Sequence, residues 1–133
     1  YVYPYHSSYL DMIADKGLWD TFEDWKRAIV GVVDAESGGR RDLVTVWDFS
    51  GYNPYTLEAV PPSGDRRTKM KWYWESGHYT SDLGTVLIGV MMRGHSEFGR
   101  RLDSHSIEEA LAAIRDERAN ARPERLRAEV PHL

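Results

Sequence analysis

Glu75 and His78, in the stretch YWESGHY, have the types and spacing of an acid–base pair. A histidine acts as a general base when an acceptor holds its Nδ1–H and leaves Nε2 facing the proton to be removed. A carboxylate three residues earlier can curl back to supply that acceptor, and Ser76 and Gly77 are small enough to allow the curl. Such a pair serves proton transfer to and from a nucleophile or a leaving group. The same residues also suit a polar surface turn with a solvated glutamate, and spacing alone leaves both readings open.

The elements that must position this pair can be read from hydrophobic period. Val2 and its flanking tyrosines predict a strand stopped by Pro4. In HSSYLDMIADKG, Ser7 or Ser8 suits an N-cap, Leu10, Ile13 and Ala14 share a face, and Gly17 suits the C-terminal end. Leu18, Phe22, Trp25, Ile29 and Val32 follow at steps of four and three, the stripe of an amphipathic helix. Asp20 with Glu23 resembles its capping box. The β-branched run DLVTVWDFS then predicts a strand covered on both faces, as in a parallel sheet. Strand, helix, strand in this order is a βαβ unit.

From Gly51 to Gly77 the period breaks into a long loop rich in Gly, Pro and Asp, and loops of this length are often functional. Thr80 suits the cap of a helix carrying Leu83, Val86, Leu87, Val90 and Met91 and closed by Gly94. Ser106 with Glu109 reads as a capping box for a helix with Ile107, Ala110, Leu111 and Ile114 inward. Residues 1–121 are expected to form the folded part. Residues 122–133 are expected to be a solvated tail, after a mixed-charge stretch broken by Pro123.

Ligands of open α/β sheets collect beyond the carboxyl ends of the strands. PYHSS, DFSGYN and ESGH all fit such positions, so His6, Tyr52, Asn53 and Trp74 join Glu75 and His78 as candidate site residues. His6 suits a substrate contact or a histidine bonded to backbone. Asp48 suits a loop cap or a substitute acid for His78. Tyr52 and Asn53 suit a cleft wall or an ordinary turn. Trp72 and Trp74 suit sugar stacking, and Trp25 suits the core. His95, His105 and His132 lack the spacing of a metal site.

Composition narrows the classes. A chain of 133 residues fits one domain. A net charge of -4 leaves no excess of Lys and Arg to neutralise phosphates, which argues against a nucleic-acid partner. Cysteine is absent, so disulfides and thiolate metal sites are excluded. No apolar run approaches the roughly 18 residues of a membrane span. The opening YVYPYH reads as a strand already under way, and the expectation is a piece of a longer protein.

The blocks WDFSGYN and YWESGHY, within VTVWDFSGYNPYTLEAVP and MKWYWESGHYTSDLGTVLIGVMM, resemble the C-terminal part of SGNH (GDSL-type) hydrolases, in a bacterial branch. YVYPYHSSYLDMIADKGLWDTFEDWKR is similar to that branch too, so the resemblance spans roughly residues 1 to 93. It implies the C-terminal portion of a flavodoxin-like, three-layer α/β/α fold with a parallel sheet. It implies a Ser-His-Asp triad in which His78 is the base and Glu75 replaces the usual Asp. The serine, glycine and asparagine blocks of that family are not in this sequence, and the implied partner is a missing N-terminal half of the same domain.

The implied activity is ester hydrolysis or O-acyl transfer on an acyl ester or O-acetylated glycan, with no cofactor and no metal. The implied location is periplasmic or membrane-anchored and exported. The competing expectation is a non-catalytic domain of the same type that binds a glycan or a partner.

Overall fold

The computed structural model describes residues 1–38, 40 and 43–128, with side chains up to Ala121. His132 and the end of the expected tail lie outside the described residues. The order is α1 (Ser7–Asp15), α2 (Trp19–Glu36), β1 (Val46–Asp48), β2 (Tyr73–Glu75), β3 (His78–Tyr79), α3 (Ser81–Arg93), β4 (Arg100–Leu102) and α4 (Ile107–Ala128).

The expected parallel, flavodoxin-like three-layer sheet is not what forms. The described strands make two antiparallel pairs, β1 with β4 and β2 with β3. Val46 faces Leu102, and Asp48 faces Arg100. The predicted first strand contributes only an isolated parallel bridge, Val2 to Asp48. The Val2 amide donates to the Trp47 carbonyl at 2.7 Å, and the Phe49 amide donates to the Val2 carbonyl at 3.2 Å. Pro4 has no N–H to continue such a ladder. The run predicted as a full strand pairs over three residues only, and Leu43 and Val44 at its start are exposed.

Alternation along β1 sets the core. Val46 packs with Val30, Leu102, Ile107 and Leu111, joining α2 and α4 to the sheet. Trp47 and Phe49 belong to a separate cluster with Tyr73, Leu83, Leu87, Val90 and Phe98 beneath α3. A third cluster centres on Leu10, Tyr52 and Ala121. Gly99 precedes β4 with φ +87°, and a Cβ there would meet the Phe49 ring, so close packing as well as backbone conformation requires glycine.

The helices mostly form where their period predicts, but α2 is turned from its expected face. Its buried residues are Glu23, Lys26 and Val30. Leu18, Trp25 and Val32 of the expected stripe are exposed. The cause is polar. Lys26 Nζ donates to Asp48 Oδ2 and to Ser50 Oγ, both at 2.7 Å, and the Ser50 amide donates to Asp48 Oδ1 at 2.9 Å. Glu23, also inward, accepts from Trp19 Nε1 at 2.8 Å and from Arg115 Nη1 at 2.6 Å. The rotation places each buried charge against a partner, as burial of charge demands.

The expected capping boxes do not form. Leu18 is the N-cap of α2 and makes no side-chain cap bond. Before α4, Asp103 Oδ1 accepts from the His105 and Ser106 amides at 2.8 and 2.9 Å, while Ser106 Oγ accepts from the Asp103 amide at 2.9 Å. Thr80 precedes α3 and donates its hydroxyl to the Lys71 carbonyl at 2.9 Å instead of capping. Gly94 closes α3 as expected, in the left-handed conformation. Helix α4 continues across Pro123 to Ala128, against the expected break.

Candidate functional site

The long segment after β1 is held by its own side chains, which is how it can present a defined hairpin. Asn53 Oδ1 accepts from the Tyr55 and Thr56 amides at 3.0 and 3.2 Å, an Asx turn. Thr56, fully buried, donates to the Gly51 carbonyl at 2.6 Å. The two oxygens of Glu58 accept from the amides of Lys71 and Trp72 at 2.6 and 2.8 Å, pinning the two ends of the loop together. The buried Tyr73 hydroxyl donates to the Pro4 carbonyl at 2.7 Å, and burial pushes that phenol's pKa up.

Strands β2 and β3 leave this segment as a hairpin, with Glu75 paired to His78 and Ser76–Gly77 between them. His78 Nδ1–H donates to Glu75 Oε1, and the Gly77 amide donates to Glu75 Oε2 at 2.7 Å. These two donors, the amide first and the imidazole second, hold the Glu75 carboxyl below its usual range. A Cβ at Gly77 would lie 3.3 Å from Glu75 Oε2, so the curl leaves little room for a larger residue there. Nε2 of His78 has no hydrogen-bond partner among the described residues. The geometry is that of a base whose tautomer is set by its acid.

The pair is open to water: the side chains of His78 and Glu75 are 79% and 55% exposed. A cavity of about 520 Å³ lies behind the hairpin, walled by Ser8, Met70, Tyr73, Trp74, Glu75 and Ser76 among others. Glu75 thus touches both the cavity and the imidazole, while the His78 ring lies outside the cavity wall. Trp74, 73% exposed, stands in that wall with its indole face available.

The side chains of the remaining candidates are engaged away from the pair, although the His6 amide donates to the Ser76 carbonyl of the hairpin turn at 3.2 Å. His6 is buried as the N-cap of α1, in place of Ser7 or Ser8. Its Nδ1 accepts from the Ser8 amide at 3.2 Å and lies 2.8 Å from Ser8 Oγ. Its Nε2–H donates to the Glu58 carbonyl at 2.8 Å, so both ring nitrogens are engaged within the chain. Tyr52 is buried in the third core cluster, with its hydroxyl donating to Asp11 at 2.7 Å and its amide to Glu117 at 3.0 Å. Burial and the Asp11 bond raise its pKa. Asn53 lines a different cavity, of about 480 Å³, with Tyr55, Glu97 and Phe98. Asp48 is committed to Lys26 and Ser50 and does not orient His78. The structure therefore joins Glu75, His78 and Trp74 on one hairpin and does not bring the side chains of His6, Tyr52 and Asn53 into contact with that pair.

In the sequence Ser8 reads only as a possible cap, yet it lines the cavity beside Glu75. No local signal marks the buried Lys26, which sits among apolar positions of α2 and depends on Asp48, 22 residues away. Among the described residues, no three His, Asp or Glu side chains gather as metal ligands. In comparisons with known proteins, no family model, curated protein or solved structure matches this chain.

Proposed function

We propose that Glu75 and His78 are the acid and base of an acyl-transfer site of the SGNH type, with the nucleophilic serine supplied by a part of the same protein outside residues 1–133. The observation that carries this reading is the Nδ1–H to Glu75 bond, which leaves Nε2 without a partner among the described residues. The blocks WDFSGYN and YWESGHY, with their resemblance to SGNH hydrolases, support it independently of that geometry.

His78 takes the serine proton as the oxygen attacks the acyl carbon and then returns it to the departing alcohol. Glu75 holds the tautomer and stabilises the imidazolium. Exposure argues that a further surface covers the pair during catalysis, because an ion pair in bulk water is weak and a water-excluded one is strong. The acceptor of the acyl group is water or a sugar hydroxyl, and Trp74 offers a stacking face beside the acid.

A fluorophosphonate probe on the full-length protein, followed by peptide mapping, tests this. The expected result is an adduct on a serine outside residues 1–133 that is lost in His78→Ala. A folded full-length protein without such an adduct would favour a binding domain with no turnover.

A further inference from the structure

A second arrangement with nucleophile chemistry lies at the start of α1 and does not depend on the Glu75–His78 reading. Ser8 Oγ is 2.8 Å from His6 Nδ1. The other ring nitrogen, Nε2, donates to the Glu58 carbonyl at 2.8 Å, which fixes the neutral tautomer with its lone pair on Nδ1, facing the hydroxyl. Tyr73 packs edge-on against the imidazole, 5.2 Å between centroids at 81°, and the ring is almost fully buried. A serine with its proton on a locked, desolvated imidazole nitrogen is the local requirement for an activated nucleophile. Ser8 is half-buried and lines the cavity of about 520 Å³, so its oxygen has an approach that the imidazole lacks. Val60, Met70, Tyr73 and Trp74 give that cavity apolar wall, and its charged lining is Lys69 with Asp65 and Glu75. Its size suits a small ligand.

We infer that Ser8 is an acyl-accepting nucleophile, with His6 as its base, for a small carboxylic ester held in this cavity. Ser8 Oγ forms the bond to the carbonyl carbon as its proton passes to His6 Nδ1. The carbon–oxygen bond to the alcohol breaks, and the proton leaves with that alcohol. Water, giving its proton to His6 in turn, cleaves the acyl-serine, and that proton returns to Ser8 Oγ as the carboxylic acid departs. Lys69 offsets the charge of the tetrahedral oxyanion.

His6 also caps α1 by accepting from the Ser8 amide, and the test must separate cap from base. Asn is among the best N-caps but is no base at neutral pH. The full-length protein is treated with a fluorophosphonate, and adducts are mapped by peptide mass spectrometry. The expected result is an adduct on Ser8 whose rate of formation falls by about 100-fold or more in His6→Asn. As a second arm, the Ser8→Cys variant is expected to react with iodoacetamide at pH 6.5 faster than free glutathione, because an imidazole beside a thiol favours the thiolate.

No adduct on Ser8 in folded protein would overturn the inference. So would an adduct formed equally fast in His6→Asn, or a Ser8→Cys thiol no more reactive than glutathione. Mapping keeps the two readings apart, since an adduct on a serine outside this chain bears only on Glu75 and His78.

Discussion

Two acid–base pairs in this chain differ in what surrounds them. Lys26 and Asp48 meet at 2.7 Å with side chains 1% and 0% exposed, and Ser50 completes the contact. Glu75 and His78 meet at the tip of a hairpin in water. The buried pair joins α2 to β1 and is a condition of the fold. Burial makes its mutual attraction large and makes the loss of either member larger still. The exposed pair ties down only its own hairpin turn, through the Gly77 amide, and water screens it. What it fixes is the orientation of one ring. The contrast shows why the same kind of contact serves structure in one region and is free for chemistry in the other.

Breaking the buried pair from one side is expected to have the largest effect on stability. Lys26→Met leaves Asp48 charged and unpaired beneath α2, at a cost of about 3–5 kcal/mol, measured by urea denaturation. The double variant Lys26→Met/Asp48→Leu is expected to recover much of that loss. Failure to recover would mean that the network does more than neutralise charge.

A purely apolar comparison is Leu87→Ala. It opens a cavity under α3, where Leu87 is fully buried, and is expected to cost about 2–5 kcal/mol. Ser50→Ala removes one acceptor from Lys26 and is expected to cost about 1–3 kcal/mol. A smaller loss would mean that Asp48 alone satisfies the ammonium.

Glu75→Gln is expected to leave the denaturation midpoint unchanged while lowering any His78-dependent turnover of the full-length protein by about 10²–10⁴-fold. The smallest expected effect is in pH. The Glu75 carboxyl is held below its usual range, so its contribution to the hairpin is present above the ordinary glutamate pKa and is lost as pH falls through the lowered one. The Gly77 amide resonance is expected to report a midpoint below that of a solvated glutamate. An ordinary midpoint would show that the two donors do not hold the carboxylate.

The same contrast explains what can be read from the sequence. The Glu75–His78 contact spans three residues and a Ser-Gly turn, so local spacing contains it. Helices α1 and α3 and the inward face of α4 at Ile107, Ala110, Leu111 and Ile114 are likewise carried by local period and end signals. The sheet is not legible in this way. The partner of β1 is Arg100–Leu102, a charged tripeptide without a strand pattern, which pairs because Gly99 lets it pass against Phe49. The expected βαβ unit fails because Val2 makes a single bridge before Pro4.

Apolar counting places Trp25 inward on α2, but Trp25 is exposed and Lys26 is buried because Asp48 waits on β1. Which of the alternatives His6 and Tyr52 adopt is likewise set by distant partners: His6 bonds to backbone and Tyr52 enters a core cluster. Their partners are Glu58 and Asp11, far away in sequence.

The central claim is the tautomer of His78, and long-range nitrogen–proton NMR of the imidazole measures it directly. With the ring neutral, the account predicts the proton on Nδ1 and a bare Nε2, reverting toward the Nε2–H form of free histidine in Glu75→Ala. An Nε2–H ring in the wild-type protein would contradict it.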